Sequence, residues 1–452
     1  MTALICRFFI SLVISGFGGS TEAFTFQEVA AFTNAPVGPA APANPAGGLI
    51  QGTDGNFYGT SFAGGNFGLG TVFQMTSNGV VTVLASFNGT NGANPRGTMV
   101  TDNAGNFYGV TYGGGIQTNE GTVFKISMTG NLTVLHDFYA DPGKNPYAGL
   151  LQGMDGNFYG TTESYGTVFK ITPSGVFSNL STYFGLNGES LNSVLTQGSD
   201  GYLYGVAGLK GFSAQGGVFF KLSTNGGMPT VVSQFAGTNG DKPFGGLTPW
   251  LGNYIGTTVS GGAYGLGSIF TTGTGVSNAY ILRDYFNGLN GAYSYAPFMV
   301  SPFIYNLGSV YLFGGTATGG PSGQGVVFSY DVYNGYIGRV FFNGANGSGV
   351  YGQMVWSADG FVYGTTRFGG LYGRGTAFRT DTFGHFTSLT SFPQSDTPQP
   401  AYGGLIQTSN GDFYGITTQI GPDDAAGIFQ LTPGGALGIF ATLTNVPAAA
   451  SD

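Results

Sequence analysis

Short runs of apolar and β-branched residues recur along the chain, each bounded by Gly, Asn, Asp or Pro. Asn56–Thr60, Gly121–Ile126 and Val81–Phe87 are typical of these runs. Runs of four to eight such residues with turn residues on both sides predict β-strands. No stretch has its apolar residues at the spacing of an amphipathic helix. The pattern therefore predicts an all-β protein.

Two phrases recur in step along the chain. The first, Asn-Phe-Tyr-Gly or a variant, is followed each time by a second of the type Gly-Thr-Val-Phe. Copies five and six depart from the first phrase, at Ile255 and at Leu312–Phe313. The period of about 50 residues is typical of propeller blades. The eight glycines that close the first phrase are Gly59, Gly109, Gly160, Gly205, Gly256, Gly314, Gly364 and Gly415.

Each copy contains four predicted strands. The first two meet at Asp-Gly or Asn-Gly, which favours a two-residue hairpin with positive φ at both positions. Hairpins require antiparallel pairing, so a solenoid of parallel coils is the weaker alternative. We predict a β-propeller of eight four-stranded antiparallel blades, one domain over residues 24–452. Phe24–Phe32 and Ala436–Leu443 both have the pattern of a fourth strand, and either can complete the ring.

Composition agrees with a turn-rich β protein. Glycine accounts for 85 of the 452 residues, and there are 40 Phe and 26 Tyr. The 13 Lys and Arg are outnumbered by 21 Asp and Glu, which gives a net charge of -8. An acidic chain of this kind argues against nucleic-acid binding through a basic surface.

The N-terminus has the features of a secretory signal peptide over residues 1–23. Arg7 precedes the apolar run Phe8–Ile14, and Thr21–Ala23 offers a cleavage site with small residues. The run is shorter than the roughly 20 residues that span a bilayer. The only cysteine, Cys6, lies in this segment. We therefore expect a secreted or cell-surface protein with neither disulfides nor a transmembrane segment in its mature chain.

The two phrases, with the ending Leu135–Phe138 and the stretch Asn91–Pro95, resemble the GloVer-type (Gloeo/Verruco) repeats of bacterial choice-of-anchor tandem repeat proteins. The resemblance covers residues 24–452. It implies an exported, surface-associated propeller. It implies no assigned activity and no catalytic residues.

Residues with catalytic or metal-binding chemistry are few. His136 and His385 lie far apart in sequence, and their spacing supports neither a metal site nor a catalytic triad. The recurring aspartates Asp54, Asp155, Asp200 and Asp359 are interpreted as turn residues in preference to calcium ligands. We expect no cofactor. Asp423 and Asp424 are weak candidates for a divalent-cation site, since no other copy has acids in that loop.

Geometry separates two faces of the predicted ring. The turns between the first and second strands and between the third and fourth share the turn face. The second-to-third loops and the connections between copies share the other face, here called the long-loop face. We expect the functional residues there, because binding and catalytic residues often lie on variable loops. Tyrosine there offers apolar area with a polar group, suited to a sugar or a protein surface. The candidate ligand-binding residues are Tyr112, Tyr147, Tyr165, Arg367, Tyr372 and Arg374.

The sequence favours a non-catalytic binding or structural propeller whose partner is a surface glycan or another protein. The alternative is a polysaccharide-active enzyme that uses carboxylates of the long-loop face, such as Glu120, Glu163 and Asp241. Glycoside hydrolysis requires two acids about 5–10 Å apart.

Overall fold

Eight antiparallel sheets follow one another along the chain, each built from one continuous stretch of sequence. The computed structural model describes residues 42–45, 47–76, 80–102, 104–116, 119–139, 143–181, 191, 193–208, 216–243, 245–250, 252–273, 280–305, 309–331, 334–392, 399–400, 404–418 and 426–443. In these ranges every regular element is a strand. None of the residues described forms a helix able to cross a membrane. The predicted eight-bladed β-propeller is confirmed.

The sheets are called blades one to eight, and their strands inner, second, third and outer. The inner strands are Pro42–Pro45 with Ile50–Gln51, Ala93–Pro95 with Val100–Thr101, Leu151–Gln152, Thr196–Gln197, Thr248–Trp250, Met299–Tyr305, Val355–Trp356, and Gln399–Pro400 with Ile406–Gln407. The second strands are Phe57–Gly64, Asn106–Gly113, Phe158–Thr161, Leu203–Ala207, Asn253–Thr258, Ser309–Gly315, Val362–Thr365 and Phe413–Thr418. The third strands are Thr71–Met75, Thr122–Ser127, Val168–Ile171, Gly217–Leu222, Ser268–Gly273, Val326–Asp331, Thr376–Thr380 and Ala426–Leu431. The outer strands are Val81–Ser86, Leu132–Asp137, Phe177–Ser181, Thr230–Phe235, Tyr280–Tyr285, Gly335–Phe341, Phe386–Ser391 and Leu437–Leu443.

The inner strands of neighbouring blades contact one another around the axis of the ring. The backbone N–H of Gly48 donates to Thr98 Oγ1 at 2.7 Å, and Thr248 Oγ1 donates to the carbonyl of Phe298 at 3.0 Å. A Cβ atom added at Gly97 would lie 2.5 Å from the backbone nitrogen of Gly149. Glycine is therefore required where one inner strand approaches the backbone of the next.

The ring closes by packing between blades eight and one. Leu437–Leu443 pairs with Ala426–Leu431, so the predicted strand near the C-terminus belongs to blade eight itself. The rings of Phe57 in blade one and Tyr414 in blade eight lie 4.3 Å apart. Within the described ranges, no strand is exchanged between the first and last blades. Phe24–Phe32 and the predicted signal peptide lie outside the described residues.

The two repeated phrases are partners in one cross-strand contact. Gly59 of the second strand lies opposite Phe73 of the third, and a Cβ on Gly59 would be 2.6 Å from Phe73 Cζ. The phenylalanine ring thus covers the glycine, which explains why the phrases recur together. The other seven pairs are Gly109–Phe124, Gly160–Phe169, Gly205–Phe220, Gly256–Phe270, Gly314–Phe328, Gly364–Phe378 and Gly415–Phe429.

The two residues before each glycine join neighbouring blades. The ring of Tyr58 lies 4.2 Å from that of Phe107 in the next blade, and four other junctions have an equivalent contact between rings. Where copies five and six depart from the phrase, Ile255 and Leu312 pack together in one apolar cluster. Aliphatic contact replaces ring stacking there, so the junction remains buried.

A β-bulge occurs between the third and outer strands of all eight blades. In blade one the register shifts between Val72 and Phe73, and in blade two between Val134 and His136. The others have the same irregularity. A bulge increases local twist, so each outer strand turns away from the plane of its sheet. The sequence pattern did not predict this feature.

The Asp-Gly turns differ from the predicted two-residue hairpins. Only the glycine has positive φ, as at Gly55 (80°), Gly156 (76°) and Gly201 (82°). In blade one, Gly55 N–H donates to the carbonyl of Gly52 at 3.0 Å. The expectation of positive φ at both positions was therefore wrong, because the left-handed glycine is the last residue of a four-residue turn, Gly52–Gly55 in blade one.

The aspartate of each such turn holds the second strand as well as the turn. Asp54 Oδ1 accepts from the backbone N–H of Asn56 at 3.1 Å, and Asp54 Oδ2 accepts from the hydroxyl of Tyr58 at 2.7 Å. Tyr58 is fully buried, so its hydroxyl requires this partner. The same hydroxyl–carboxylate bond joins Tyr108 to Asp102, Tyr159 to Asp155, Tyr204 to Asp200 and Tyr363 to Asp359.

The pKa values of Asp54, Asp102 and Asp155 are lowered, and those of the five tyrosines are raised. Burial opposes ionisation of Asp54, but hydrogen bonds from Tyr58 and Asn56 outweigh it and lower the pKa of the carboxyl group. The pKa of Asp155 falls for the same reasons, with Lys170 2.9 Å away as a further donor. Burial, followed by the bond to Asp54, raises the pKa of Tyr58 to about 12.

We expect stability to decline at both extremes of pH. Because the aspartate pKa values are lowered by folding, their contribution is complete above the unfolded value of about 3.9 and is lost as pH falls below it. Because the tyrosine pKa values are raised, their contribution is complete below about 10 and is lost as pH rises further. Urea unfolding measured against pH tests this. Asp155→Asn should flatten the acid limb, and an unchanged slope would contradict the assignment.

Candidate functional site

The long-loop face lies where the connections between blades meet the second-to-third loops. The backbone of Lys144, in the connection from blade two to blade three, pairs with Ser164 in the next loop. Tyr112 is the penultimate residue of the second strand of blade two, Tyr147 lies in the same connection as Lys144, and Tyr165 lies in the loop of blade three. Three of the six predicted residues are therefore neighbours on this face.

A cationic side chain lies among three aromatic rings next to the inner-strand segment Ala93–Pro95, which pairs with the end of the second strand of blade two. Arg96 Cζ lies 4.8 Å from the ring centroid of Phe62, 4.7 Å from that of Tyr112 and 5.1 Å from that of Tyr147. The rings of Tyr112 and Tyr147 meet edge to face at 6.3 Å. We call Phe62, Arg96, Tyr112 and Tyr147 the mouth cluster.

Two asparagines with left-handed backbone position the cluster. Asn94 (φ 56°) donates from Nδ2 to the carbonyl of Phe62 at 3.0 Å. Asn145 (φ 57°) donates in the same way to the carbonyl of Tyr112 at 2.9 Å. Asparagine tolerates this conformation better than most residues with a side chain. Each asparagine thereby fixes the residue two positions later beside the end of the preceding blade's second strand.

Arg96 has no polar partner among the described residues. Its three contacts are with ring faces, and its Nε atom is buried without a hydrogen-bond acceptor. A guanidinium group carries five N–H donors and is always charged. The mouth cluster therefore holds a positive charge that the neighbouring protein groups do not neutralise.

A second charged group borders the mouth cluster. Lys144 Nζ forms an ion pair with Glu120 Oε1. The hydrogen bond to Glu120 raises the pKa of Lys144 against the opposing effect of desolvation. Tyr165, with φ of 65° and 64 % of its surface exposed, projects from the adjoining loop. This sector of the face thus combines a neutralised lysine with an accessible tyrosine.

Blade seven carries a similar group of residues. Arg367 Cζ lies 5.6 Å from the rings of both Tyr351 and Phe368. The rings of Tyr295 and Tyr351 stack at 5.5 Å with an interplanar angle of 22°. We call Tyr295, Tyr351, Arg367 and Phe368 the blade-seven cluster. Arginine and aromatic residues thus occur together in two sectors of the same face.

The remaining predicted residues are more dispersed. Tyr372 is exposed at the tip of the second-to-third loop of blade seven, and Arg374 follows it, its backbone bridged to Gly369. The structure places Arg367 against Tyr351 and Phe368. Asp423 and Asp424 lie outside the described residues.

The acids of the enzymatic alternative belong to different blades. Glu120 is paired with Lys144, and Asp241 Oδ2 accepts from Ser260 Oγ at 3.1 Å. Glu163 lies in the loop of blade three, where its backbone N–H donates to the carbonyl of Asn145. Across the described ranges, no group of three or more His, Cys, Asp or Glu side chains is placed to hold a metal ion.

The repeats match a known family over most of the chain. The Gloeobacter/Verrucomicrobia repeat aligns with residues 17–211 and 300–450. The chain belongs to the Gloeobacter/Verrucomicrobia repeat family. The resemblance inferred from the two phrases is thereby confirmed.

Comparison with other proteins adds no function to this family member. No curated protein matches the chain. The BP39L lectin from Burkholderia pseudomallei is 10% identical with a TM-score of 0.49, over 90% of this chain and 99% of the lectin. A puromycin-hydrolysing peptidase from Mycobacterium tuberculosis is 12% identical with a TM-score of 0.48, over 84% of this chain and 60% of the peptidase. Likenesses this distant carry no argument about ligand or activity.

Sequence reasoning missed Arg96 in this Gloeobacter/Verrucomicrobia repeat protein. Arg96 occupies the repeat position that holds Tyr147, Tyr295 and Tyr351 in other connections, two residues after the left-handed position. Aligning Asn94-Pro95 with Asn145-Pro146 would have shown an arginine where the next connection has Tyr147. This arginine in place of a tyrosine is the sequence signal that could have identified Arg96.

Proposed function

We propose that this protein is an exported, non-catalytic binding propeller whose long-loop face binds a glycan at the bacterial cell exterior. The observation that carries the proposal is the grouping of tyrosine and arginine side chains in the mouth and blade-seven clusters. Tyrosine presents a flat apolar surface that stacks on a sugar ring, and its hydroxyl hydrogen-bonds the sugar's oxygens. Arginine adds donors in a fixed geometry.

A glycan is favoured over a protein partner by the shape of these groups. Each cluster is small and made of aromatic rings with a few polar atoms. A protein–protein interface of ordinary stability requires a contiguous surface of about 800 Å² on each partner. The acids Glu120 and Asp241 are engaged by Lys144 and Ser260, which favours binding over glycoside hydrolysis.

Replacement of both Tyr112 and Tyr147 by alanine should weaken glycan binding by about tenfold or more, since each stacked ring contributes about 0.5–1.5 kcal/mol. Purified protein is first screened on a glycan array, and affinities are then measured by calorimetry. The triple change Arg367→Ala, Tyr372→Ala, Arg374→Ala tests the opposite sector in the same way.

Tyr202→Ala is the matched control for this experiment. Tyr202 is an exposed tyrosine beside Lys221, on the turn face. Its loss should leave binding unchanged. Binding that depends on Tyr202 but not on Tyr112 and Tyr147 would place the ligand on the turn face and contradict the proposal. Binding of a protein partner with no glycan bound at all would overturn the glycan assignment.

Export is tested separately from binding. The charge, apolar run and Thr21–Ala23 site support cleavage before Phe24. N-terminal sequencing of protein recovered outside the cytoplasm should therefore begin near Phe24. Recovered protein that begins at Met1 would contradict the signal peptide.

A further inference from the structure

Arg96 differs from several other cationic groups of the described residues in its polar contacts. Lys144 is paired with Glu120, and Lys170 with Asp155. Arg283, in the outer strand of blade five, donates from Nε to Thr271 Oγ1. Arg96 instead contacts the rings of the mouth cluster and, in the described ranges, no acceptor at all.

Ring contacts stabilise the cation without using its hydrogen-bonding capacity. The π face attracts positive charge electrostatically but is no substitute for an oxygen acceptor. A partly buried guanidinium group without acceptors costs free energy unless water or a ligand supplies them. The three rings also restrict the side chain, so a ligand that binds there loses little free energy in ordering it.

We propose that Arg96 binds a carboxylate group of an acidic glycan, with Tyr112 and Tyr147 stacking on the sugar ring that carries it. This inference rests on the proposed glycan-binding function. A carboxylate is favoured because its two oxygens match the planar N–H fork of guanidinium in a bidentate pair. A neutral hydroxyl group would supply an acceptor but leave the charge unbalanced.

Local charge, and not the charge of the whole protein, sets this preference. The chain has a net charge of -8, which disfavours anions at long range. At the mouth cluster, however, Lys144 is already neutralised by Glu120, so Arg96 provides the positive charge available to a ligand. The contacts made by Arg96 should therefore decide whether the protein prefers acidic glycans over neutral ones.

The test compares uronic-acid oligosaccharides with their carboxyl-reduced counterparts, which keep the same rings but lose the charge. Calorimetry with hexagalacturonate, hexaglucuronate and the two reduced oligosaccharides is carried out on the full chain and on Arg96→Gln. The wild-type protein should bind at least one uronate about 10- to 100-fold more tightly than its reduced form, the range typical of a charge-assisted pair. Arg96→Gln should remove that difference.

Arg379→Gln is the matched control. Arg379 also stacks on one ring, with Cζ 4.6 Å from the centroid of Phe361, but it lies at the turn end of blade seven. Its substitution should leave uronate affinity unchanged. Arg96→Lys, which keeps the charge and loses the planar fork, should have intermediate affinity.

Several outcomes would overturn the inference. Equal affinity of the wild-type protein for charged and reduced oligosaccharides would do so without any variant, even if Arg96→Gln fails to fold. Uronate binding that survives Arg96→Gln would place the anion elsewhere. A preference for sulfated over carboxylated oligosaccharides would reject the carboxylate. Tight binding of neutral glycans alone would leave the proposed function standing and refute this inference, whereas absence of all glycan binding would refute both.

Discussion

Replacing Phe57 by alanine is expected to lower the free energy of unfolding by about 3–5 kcal/mol, the usual cost of removing a buried aromatic ring. Phe57 packs on Tyr414 across the junction of blades one and eight, within a cluster that includes Ile416 and Ile428. The cavity would lie between blades one and eight, which share no strand within the described residues. Urea unfolding gives the stability, and hydrogen exchange shows whether blades one and eight lose protection first.

Phe67→Ala is the matched control, because Phe67 is a phenylalanine of the same blade with 59 % of its surface exposed. Its substitution should change stability by no more than about 0.5 kcal/mol. If Phe57→Ala is equally mild, packing of blade eight against blade one does not close the ring as described.

Gly109→Ala should destabilise the protein by about 1–3 kcal/mol, although alanine ordinarily suits a strand better than glycine. The added Cβ would lie 2.5 Å from Phe124 Cζ and 3.1 Å from Met99 Cγ, both buried. No small movement relieves the clash, since Phe124 also meets the ring of Phe87 at 5.2 Å. The change in free energy is again measured by urea unfolding.

Gly438→Ala is the matched control. It separates the steric clash expected at Gly109 from the general effect of replacing glycine by alanine in a strand. Gly438 lies in an outer strand without positive φ, and a Cβ there would meet no atom within 4 Å. Alanine at that position should leave stability unchanged or raise it slightly, because alanine lowers the conformational entropy of the unfolded chain. Similar behaviour of the two variants would mean that the phenylalanine does not cover the glycine.

The fold was predictable because the repeated phrases are themselves the packing unit. A glycine and a phenylalanine such as Gly59 and Phe73 recur together in every blade since one ring covers one glycine, and the period follows from repeating that pair. Strand order was accessible from the hairpin residues. The turn type was not accessible from the sequence. A left-handed glycine such as Gly55 occurs both in two-residue hairpins and at the end of longer turns.

The bulges and the mouth cluster depend on relations that the sequence of a single repeat does not contain. A bulge at Phe73 reflects how an outer strand twists relative to its sheet, which no local pattern records. The mouth cluster forms only when Phe62, Arg96 and Tyr147 are brought together from successive repeats. Tyr112 and Tyr147 were identified as single tyrosines, whereas the arginine between them was not.

The asparagines at the connections were also predictable only in part. The stretch Asn91–Pro95 was recognised as a recurring feature. Its physical role, a left-handed Asn94 that donates to the carbonyl of Phe62, requires the neighbouring blade to be in place. The sequence showed the stretch only as part of the family resemblance, and the tertiary contact shows what Asn94 does.

Each described sheet begins and ends within its own repeat. The number of blades is therefore set by the angle between neighbouring sheets and not by the kind of contact between them. Adding a copy of a repeat that carries the aromatic pair would keep junctions of the Tyr58–Phe107 kind intact. Only the wedge between neighbouring sheets would have to widen or narrow slightly. A chain built in this way can change its circumference by recombination between repeats, while sites that span two or three adjacent blades persist unchanged.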